Sequence, residues 1–282
     1  MKRDLYFSKP LMNSAGTLGF APDPRVEINW DSFGAFVTNP ISLRPRLPTA
    51  QPALVEYRGG FLLHTGLPNP GLSNILKKYS ARWERSNLSI IVHLMADRPE
   101  ETKHMVQMLE GLDHVMAVEL GFAPLLADDI FLITLEMCLG ELPLIFSLPH
   151  EQVLSLGPRL IQEGAAAISI AAPRGALTPN PSPNPSTALT VRAARNDGTP
   201  VRDGRAGGRR EIITGRLYGP SLFPLSLEIV YSAAKLGLPI IGAGGVWRDE
   251  DAQSMLSAVV MAVQMDASLW VPRDALNGTQ TR

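Results

Sequence analysis

The segment Leu238–Ala252, LPIIGAGGVWRDEDA, decides the fold, because an apolar strand runs into a glycine turn and then into an acidic helix start. Pro239–Ile241 is short and apolar and ends in two β-branched residues, which is typical of a strand buried on both faces of a parallel sheet. Asp249 is a candidate N-cap for a helix that continues through Asp251 and Ala252. The segment therefore predicts one strand–turn–helix unit of an α/β protein.

The glycines of this turn, Gly242, Gly244 and Gly245, permit backbone angles and close contacts that side chains would prevent. Backbone N–H groups at such a turn, followed by a helix N-terminus, are one way to bind a phosphate group. The same glycines also suit a tight connection that binds nothing. The motif alone leaves both interpretations open.

Apolar segments of strand length recur along the whole chain, with helical segments between most of them. The strand candidates are Leu11–Gly16, Gly34–Thr38, Leu88–Leu94, Val115–Leu120, Leu142–Leu148, Ala165–Ala171, Leu238–Gly242 and Ala258–Met265. The helix candidates include Pro99–Glu110, Val153–Glu163, Leu225–Leu236 and Glu250–Ser257. Eight strands that alternate with helices predict a single-domain (β/α)8 TIM barrel over residues 1–282, with an open doubly wound sheet as the alternative.

Three stretches interrupt this alternation. Arg44–Gly71 is long, proline-rich and irregular, as in a functional lid or a disordered loop. Arg174–Thr214 follows the sixth strand and contains the low-complexity run ALTPNPSPNPSTAL, so we expect a mobile insertion of repeat sequence, with an arginine-rich anion-binding role as the alternative. Trp270–Arg282 is too short and turn-rich for a full closing helix, which predicts a truncated C-terminal helix.

Composition excludes several classes of function. The formal net charge of −1 and the absence of a basic stripe argue against nucleic acid and anionic membrane as partners. The only cysteine, Cys138, excludes an intrachain disulfide, a CxxC metal site and an iron–sulfur cluster ligated by this chain alone, and its surroundings predict a buried helix position. No apolar run approaches the roughly 20 residues that span a bilayer, and the start MKRDLYFSKP lacks a signal-peptide core. We therefore expect a cytoplasmic protein.

Six motifs occur in a characteristic order: MNSAGTLG (12–19), GAFVTNPISLRPR (34–46), GGFLLHTGLPNPG (59–71), VEL (118–120), GRLYGPSLFP (215–224) and PIIGAGGVWRDEDA (239–252). Together they resemble the dihydroorotate dehydrogenase family, in its class 1-like form. The resemblance covers nearly the whole chain apart from the 174–214 insertion and the C-terminus. It implies a barrel with FMN at the C-terminal ends of its strands. It also implies an oxidoreductase of pyrimidine biosynthesis that acts on a CH–CH group and transfers hydride from dihydroorotate to the flavin.

The resemblance assigns backbone roles that this chain retains. The turn at Ala15 and Gly16 corresponds to the backbone against the flavin ring, and Gly219, Gly244 and Gly245 correspond to glycines around the FMN phosphate. The loop of Thr65, Gly66, Leu67 and Asn69 corresponds to the one that contacts an orotate-like substrate.

The side-chain roles of the family are replaced. Asn39 and Ser147 stand where the family has lysines that contact the flavin. The general base on the fourth strand falls at Ala123, and three substrate-binding asparagines align with Leu63, Gly121 and Ala171. A Gly-Thr pair near the phosphate aligns with Asp266 and Ala267, where a carboxylate disfavours a phosphate dianion unless an arginine such as Arg216 intervenes.

Four titratable residues are candidate substitutes. His64 in the lid loop is a candidate base, and His150 after the fifth strand is a candidate base or ligand contact; both also suit structural roles. His93 on the third strand is a candidate for the barrel mouth. Glu119 is costly to bury without a partner, so we expect it in an ion pair within the barrel.

Two functional hypotheses follow. The first is an FMN oxidoreductase of the dihydroorotate dehydrogenase type, with a small orotate-like substrate and a possible homodimer or electron-transfer subunit as partner. The second is a diverged, catalytically inactive barrel that binds another phosphorylated ligand or acts as a partner subunit. A positioned base contributes roughly 10²–10⁴-fold to a rate, so the loss of the base, the lysines and the asparagines favours the second hypothesis chemically. The resemblance favours the first, and from the sequence we expect the oxidoreductase, with the inactive barrel as the alternative.

Overall fold

The computed structural model describes residues 5–178 and 212–270. The strands in these ranges are β1 (Leu11–Asn13), β2 (Phe33–Val37), β3 (Ala53–Tyr57), β4 (Gly60–His64), β5 (Ser89–Met95), β6 (Val115–Gly121), β7 (Leu144–Leu148), β8 (Ala167–Ile170), β9 (Arg174–Leu177), β10 (Ile213–Tyr218), β11 (Ile240–Ala243) and β12 (Ala262–Met265). The α-helices are α1 (Leu72–Glu84), α2 (Pro99–Glu110), α3 (Asp128–Cys138), α4 (His150–Gln162), α5 (Phe223–Lys235) and α6 (Asp249–Ser257).

Eight parallel strands close into a barrel in the order β1-β12-β11-β8-β7-β6-β5-β2. These are the eight apolar segments identified in the sequence, so the predicted (β/α)8 barrel is confirmed and the open-sheet alternative is wrong. The strands are short and nearly continuous in apolar residues because helices cover one side and the barrel interior covers the other.

Side chains fill the barrel in layers. The layer nearer the N-terminal ends of the strands is apolar. Its residues are Met12, Ala35, Val37, Ile91, Ala117, Ile145, Ala167, Ile241 and Ala262. Residues alternate in direction along each strand, so the inward positions two residues further on form the next layer. Most residues of that layer are polar, namely His93, Glu119, Ser147, Ser169 and Gln264. The layer lies toward the C-terminal ends of the strands, which is where barrel enzymes build their sites.

A second sheet of four antiparallel strands, in the order β3-β4-β10-β9, packs over this end of the barrel. The expectation that Arg44–Gly71 is irregular throughout is therefore wrong, because β3 and β4 form a hairpin inside it. The predicted mobile insertion 174–214 is wrong at its two ends, which pair as β9 and β10. Its remaining part, 179–211, lies outside the described residues.

The helices differ from the expected regular alternation. Between β1 and β2 the described chain has only a short 3-10 turn at Trp30–Ser32, and a second one at Ala267–Leu269 follows β12. Residues 271–282, where a truncated terminal helix is expected, lie outside the described residues. The first residue of α6 is Asp249 rather than its cap; Asp251 supplies the capping carboxylate and accepts hydrogen bonds from the Trp247 and Arg248 N–H groups at 3.0 and 2.8 Å.

Two predictions concern the cysteine and the membrane. Cys138 is buried at the end of α3, as its sequence context predicts. Over the described ranges, no helix combines the length and the apolar character that crossing a membrane requires.

Candidate functional site

The polar layer of the barrel centres on Glu119 of β6, which is 1% exposed. Its Oε2 lies 2.7 Å from Nδ1 of His93 on β5. Its Oε1 accepts hydrogen bonds from the Ser169 hydroxyl at 2.6 Å and from the Gln264 amide at 2.8 Å. Burial alone would raise the pKa of Glu119, but the hydrogen bonds and charge of His93, with the bonds from Ser169 and Gln264, hold it below the ordinary value. The partner expected for Glu119 within the barrel is therefore present: it is His93, whose Nδ1 lies within ion-pair distance.

The ring of His93 occupies space that a side chain at position 121 would need. A Cβ added to Gly121 would lie 2.3 Å from Nε2 of His93. The Nδ1–H group is donated to Glu119, because an ionised carboxylate can only accept. Nε2 therefore lies at the C-terminal end of β6 and, among the described residues, has no hydrogen-bond partner. The Nε2 atom of an imidazole oriented in this way is available for a hydrogen bond to a ligand there.

Asp266 follows β12 and is 4% exposed. Its carboxylate contacts the glycine turn that follows β11. It accepts the N–H of Gly245 at 3.4 Å and the N–H of Ala267. Burial raises the pKa of Asp266 to about 6, although these backbone N–H groups act in the opposite direction. The donors expected to bind a phosphate are thus directed at a carboxylate of the protein itself.

The other side of the same turn is packed against the start of α5. A Cβ added to Gly244 would lie 2.4 Å from Oγ of Ser226, and one added to Gly245 would lie 2.4 Å from the backbone nitrogen of Phe223. His150, the first residue of α4, places its Nε2 3.1 Å from Oγ of Ser226. Its Nδ1 is buried without a described partner, and burial lowers the pKa of His150.

An aromatic cluster closes the mouth above β11 and β12. Phe61 of β4 stacks on Tyr218 of β10 with ring centroids 5.6 Å apart, and Trp270 packs edge-on against Tyr218 at 5.3 Å. Trp247 is buried in the same cluster. Nε1 of Trp270 donates to the carbonyl of Thr17 at 2.5 Å, which ties the cluster to the loop that follows β1.

The loop at 65–69, expected to contact the substrate, is held by hydrogen bonds to the segment 42–49. Oδ1 of Asn69 accepts the N–H groups of Gly71 at 3.0 Å and of Ser42 at 3.2 Å, so this side chain is occupied by the protein. The carbonyl of Thr65 accepts the N–H of Thr49 at 2.9 Å, and the hydroxyl of Thr65 accepts the N–H of Leu67 at 3.2 Å. The carbonyl of Gly66 accepts Nε of Arg46 at 2.5 Å.

The other positions assigned by the resemblance divide between the turn after β1 and the polar layer. Ala15 and Gly16 lie directly after β1, and Oδ1 of Asn39 clamps the end of that turn by accepting the N–H of Gly19 at 3.0 Å. Ser147 points inward from β7, in register with Gly121, and is 8% exposed. The backbone N–H of Ala123 donates to the side-chain Oδ1 of Asp97 at 2.9 Å, and the methyl side chain of Ala123 supplies no base.

Three further candidates have structural partners. His64 ends β4 and lies 3.2 Å from the hydroxyl of Thr49, on the side of the sheet opposite to Leu63, so the structure does not bring it to the strand ends. Gly219 packs against the β3–β4 turn, where an added Cβ would lie 2.5 Å from the Cα of Gly60. Arg216 hydrogen-bonds the hydroxyl of Tyr218, and its charge opposes the rise in the pKa of Tyr218 that burial causes. Among the described residues, Arg216 forms no ion pair with Asp266.

The sequence did not lead us to predict that His93 pairs with Glu119. The signal for it is the period of two: His93 lies two residues after the inward Ile91, and Glu119 two residues after the inward Ala117. Once β5 and β6 are adjacent and in this register, the two side chains point into the barrel side by side.

Comparison with known proteins agrees with this fold. A family model described as dihydroorotate dehydrogenase matches residues 3–122. The catalytic subunit of dihydroorotate dehydrogenase B (NAD(+)) from Trichlorobacter lovleyi is 26% identical over 289 residues, which cover 95% of this chain and 86% of that protein. The subunit of the same name from Pyrococcus furiosus is 26% identical over 282 residues, covering 94% and 85%.

A solved structure has the same fold. The crystal structure of dihydroorotate dehydrogenase from Eimeria tenella in complex with ferulenol superposes with a TM-score of 0.65, at 17% identity, over 96% of this chain and 81% of that one. At that identity the likeness concerns the fold alone. The family match over residues 3–122, the relatives that align with nearly the whole chain and the eight-stranded barrel agree: the chain is similar to the dihydroorotate dehydrogenase family.

Proposed function

We propose that this chain is a barrel of the dihydroorotate dehydrogenase family that has lost the FMN-dependent oxidation of dihydroorotate and binds another small anionic ligand, alone or as a subunit of an assembly. The observation that carries the proposal is the carboxylate of Asp266 on the N–H groups of Gly245 and Ala267. A carboxylate at that place repels a phosphate dianion and occupies the donors that would hold it.

The cofactor FMN does not fit the residues at the strand ends. Gly244 and Gly245 are explained by their close packing on Ser226 and Phe223, so no phosphate is needed to account for these glycines. Gly219, the third glycine of the expected phosphate site, is explained by the β3–β4 turn. The space above β11 and β12 holds buried aromatic rings. We therefore derive no reaction step through a flavin.

The residues at the family's substrate and catalytic positions also lack the groups that the oxidation requires. Oxidation of dihydroorotate needs a group that removes a proton from carbon, and neither Gly121 nor Ala123 has one. Asn39 is occupied by the N–H of Gly19, and Ser147 is a neutral hydroxyl where the family has a cation that stabilises the reduced flavin. Asn69 is committed to its own loop.

The second candidate function is FMN-dependent dihydroorotate oxidation. Its supporting observation is the alignment of relatives with that name over 94–95% of the chain. Because those relatives are named catalytic subunits of an NAD(+) enzyme, this candidate includes an electron-transfer partner subunit.

Titration with FMN, followed by flavin fluorescence, separates the two candidates. We expect no saturable FMN binding by the wild-type protein. In Asp266→Gly the N–H groups of Gly245 and Ala267 become free, so the affinity for FMN or inorganic phosphate rises by at least about tenfold. The control is Asp129→Gly in the exposed first turn of α3, which leaves the affinity unchanged. Stoichiometric FMN binding by the wild-type protein would contradict the proposal.

A further inference from the structure

Two arginines stand directly opposite each other on the small sheet. Arg174 of β9 pairs in register with Arg216 of β10. Residues two apart on a strand point to the same face, so Arg216 shares its face with Tyr218. The ring of Tyr218 packs on Phe61 and Trp270 above the barrel. The two guanidinium groups therefore project from the face that looks onto the barrel mouth.

This arrangement is unfavourable unless an anion lies nearby. Like charges directly opposite each other on neighbouring strands destabilise a sheet. Burial and the charge of Arg216 lower the pKa of Arg174, and Asp97 offsets part of this effect. Among the described residues, neither arginine has a carboxylate within ion-pair distance. Apart from the hydrogen bond that Arg216 directs at the Tyr218 hydroxyl, the N–H groups of the pair can therefore bind an oxyanion.

The position of Arg174 in the chain and its nearest acidic residue place the pair near the C-terminal ends of β5, β6 and β8. Arg174 comes four residues after the end of β8, and the neighbouring Pro173 accepts the N–H of Leu217 at 2.8 Å. Asp97, whose charge reaches Arg174, lies just after β5 and accepts the N–H of Ala123 after β6 at 2.9 Å. Nε2 of His93 lies against Gly121 at the end of β6, and Ser147 of β7 pairs in register with Gly121, so polar groups are present at the ends of these strands.

We propose that Arg174 and Arg216 form a binding site for the carboxylate group of a small organic monocarboxylate, whose remaining part faces His93 and Ser147 at the strand ends. A guanidinium fork matches a planar carboxylate with two parallel hydrogen bonds. The negative charge of Asp97 reaches Arg174, and that of Asp266 reaches Tyr218 on the same face as Arg216, so both disfavour a phosphate dianion relative to a monoanion. The inference rests on the proposed function, because a bound flavin would occupy the space between the sheet and the strand ends.

Isothermal titration calorimetry with benzoate, its neutral isostere benzamide and inorganic phosphate tests this site. The protein is first shown to be free of flavin by its visible spectrum. We expect benzoate to bind the wild-type protein, and benzamide to bind at least about tenfold more weakly because it lacks the charge. Arg174→Gln and Arg216→Gln should each raise the Kd for benzoate by at least about tenfold.

Two further variants control for folding and for charge. Arg174→Lys keeps the charge but loses the fork, so its affinity should fall between those of the wild-type protein and Arg174→Gln. Arg159→Gln, at the exposed C-terminal end of α4, should leave the affinity unchanged.

Several results would overturn the site. These are absence of benzoate binding, equal binding of benzamide, or a benzoate affinity that the two glutamine variants leave unchanged. Phosphate binding that is tighter than benzoate binding and depends on both arginines would overturn the choice of ligand class. Flavin in the purified protein would instead count against the proposed function, which the initial spectrum detects separately.

Discussion

The raised pKa of Asp266 predicts how the free energy of unfolding depends on pH. Burial raises its pKa from 3.8 to about 6 in the folded protein. A shift of about two units corresponds to about 3 kcal/mol. Because the folded state binds this proton more tightly than the unfolded state, the proton stabilises the fold at low pH. That contribution is fully present below about pH 4 and is lost as the pH rises through about 6.

The substitution Asp266→Asn isolates this contribution. The asparagine keeps an oxygen that can accept the N–H of Gly245 but no longer titrates. Whatever constant offset the amide introduces, the free energy of unfolding of Asp266→Asn relative to wild type should increase by about 3 kcal/mol between pH 4 and pH 7.5. All other titrating groups are common to both proteins and cancel in this difference.

Urea denaturation at a series of pH values measures the difference directly. Asp129→Asn, in the exposed first turn of α3, is the matched control, and its offset from wild type should vary much less over the same interval. An offset for Asp266→Asn that stays constant from pH 4 to pH 7.5 would refute the argument, because Asp266 would then titrate alike in the folded and unfolded states.

Three further predictions concern other parts of the site and the core. Glu119→Gln breaks the buried pair with His93 and should lower the free energy of unfolding by about 3 kcal/mol or more; a loss below about 1 kcal/mol in urea denaturation would mean that the pair is not buried as described. Gly219→Ala adds a Cβ at a φ of 127° and 2.5 Å from backbone, so it should cost more in thermal denaturation than Gly237→Ala, where φ is 72° and no atom lies within 4 Å; equal costs would disprove the close packing. Burial raises the pKa of the Cys138 thiol to about 12, so a thiol reagent such as DTNB should react only after unfolding, and rapid reaction of the native protein would contradict its burial.

The barrel was predictable from sequence because its strands are buried on both sides. Segments such as Leu88–Leu94 and Val115–Leu120 are apolar at all but one or two positions, and their alternation with helices has few other solutions. The helix Pro99–Glu110 was predictable to its ends, since proline at its first position and glycine after its last are ordinary helix boundaries.

The second sheet was not predictable in the same way. Its strands are only partly buried, and β10 pairs with β4 and β9, which are distant from it in the chain. Proline and glycine in the flanking segments point to loops, and nothing local in Ala53–Tyr57 or Arg174–Leu177 specifies a distant partner. The packing of this sheet over the barrel mouth follows from tertiary contacts.

Individual site residues were predictable, whereas their contacts were not. A carboxylate at Asp266 was expected to be unfavourable beside a phosphate, but its position on the N–H of Gly245 depends on how two adjacent strands end. His150 and His64 were equal candidates in sequence, yet one is buried against Ser226 and the other lies on the far side of the small sheet. Register and strand order, rather than residue type, decide these roles.

The most direct measurement is the visible absorption spectrum of the purified protein, recorded after incubation with FMN and desalting, and again anaerobically with dihydroorotate. The arrangement of Asp266 in the glycine turn predicts a colourless protein that retains no flavin and does not respond to dihydroorotate. A retained flavin band that is bleached by dihydroorotate would contradict this prediction and would establish dihydroorotate dehydrogenase activity for this chain.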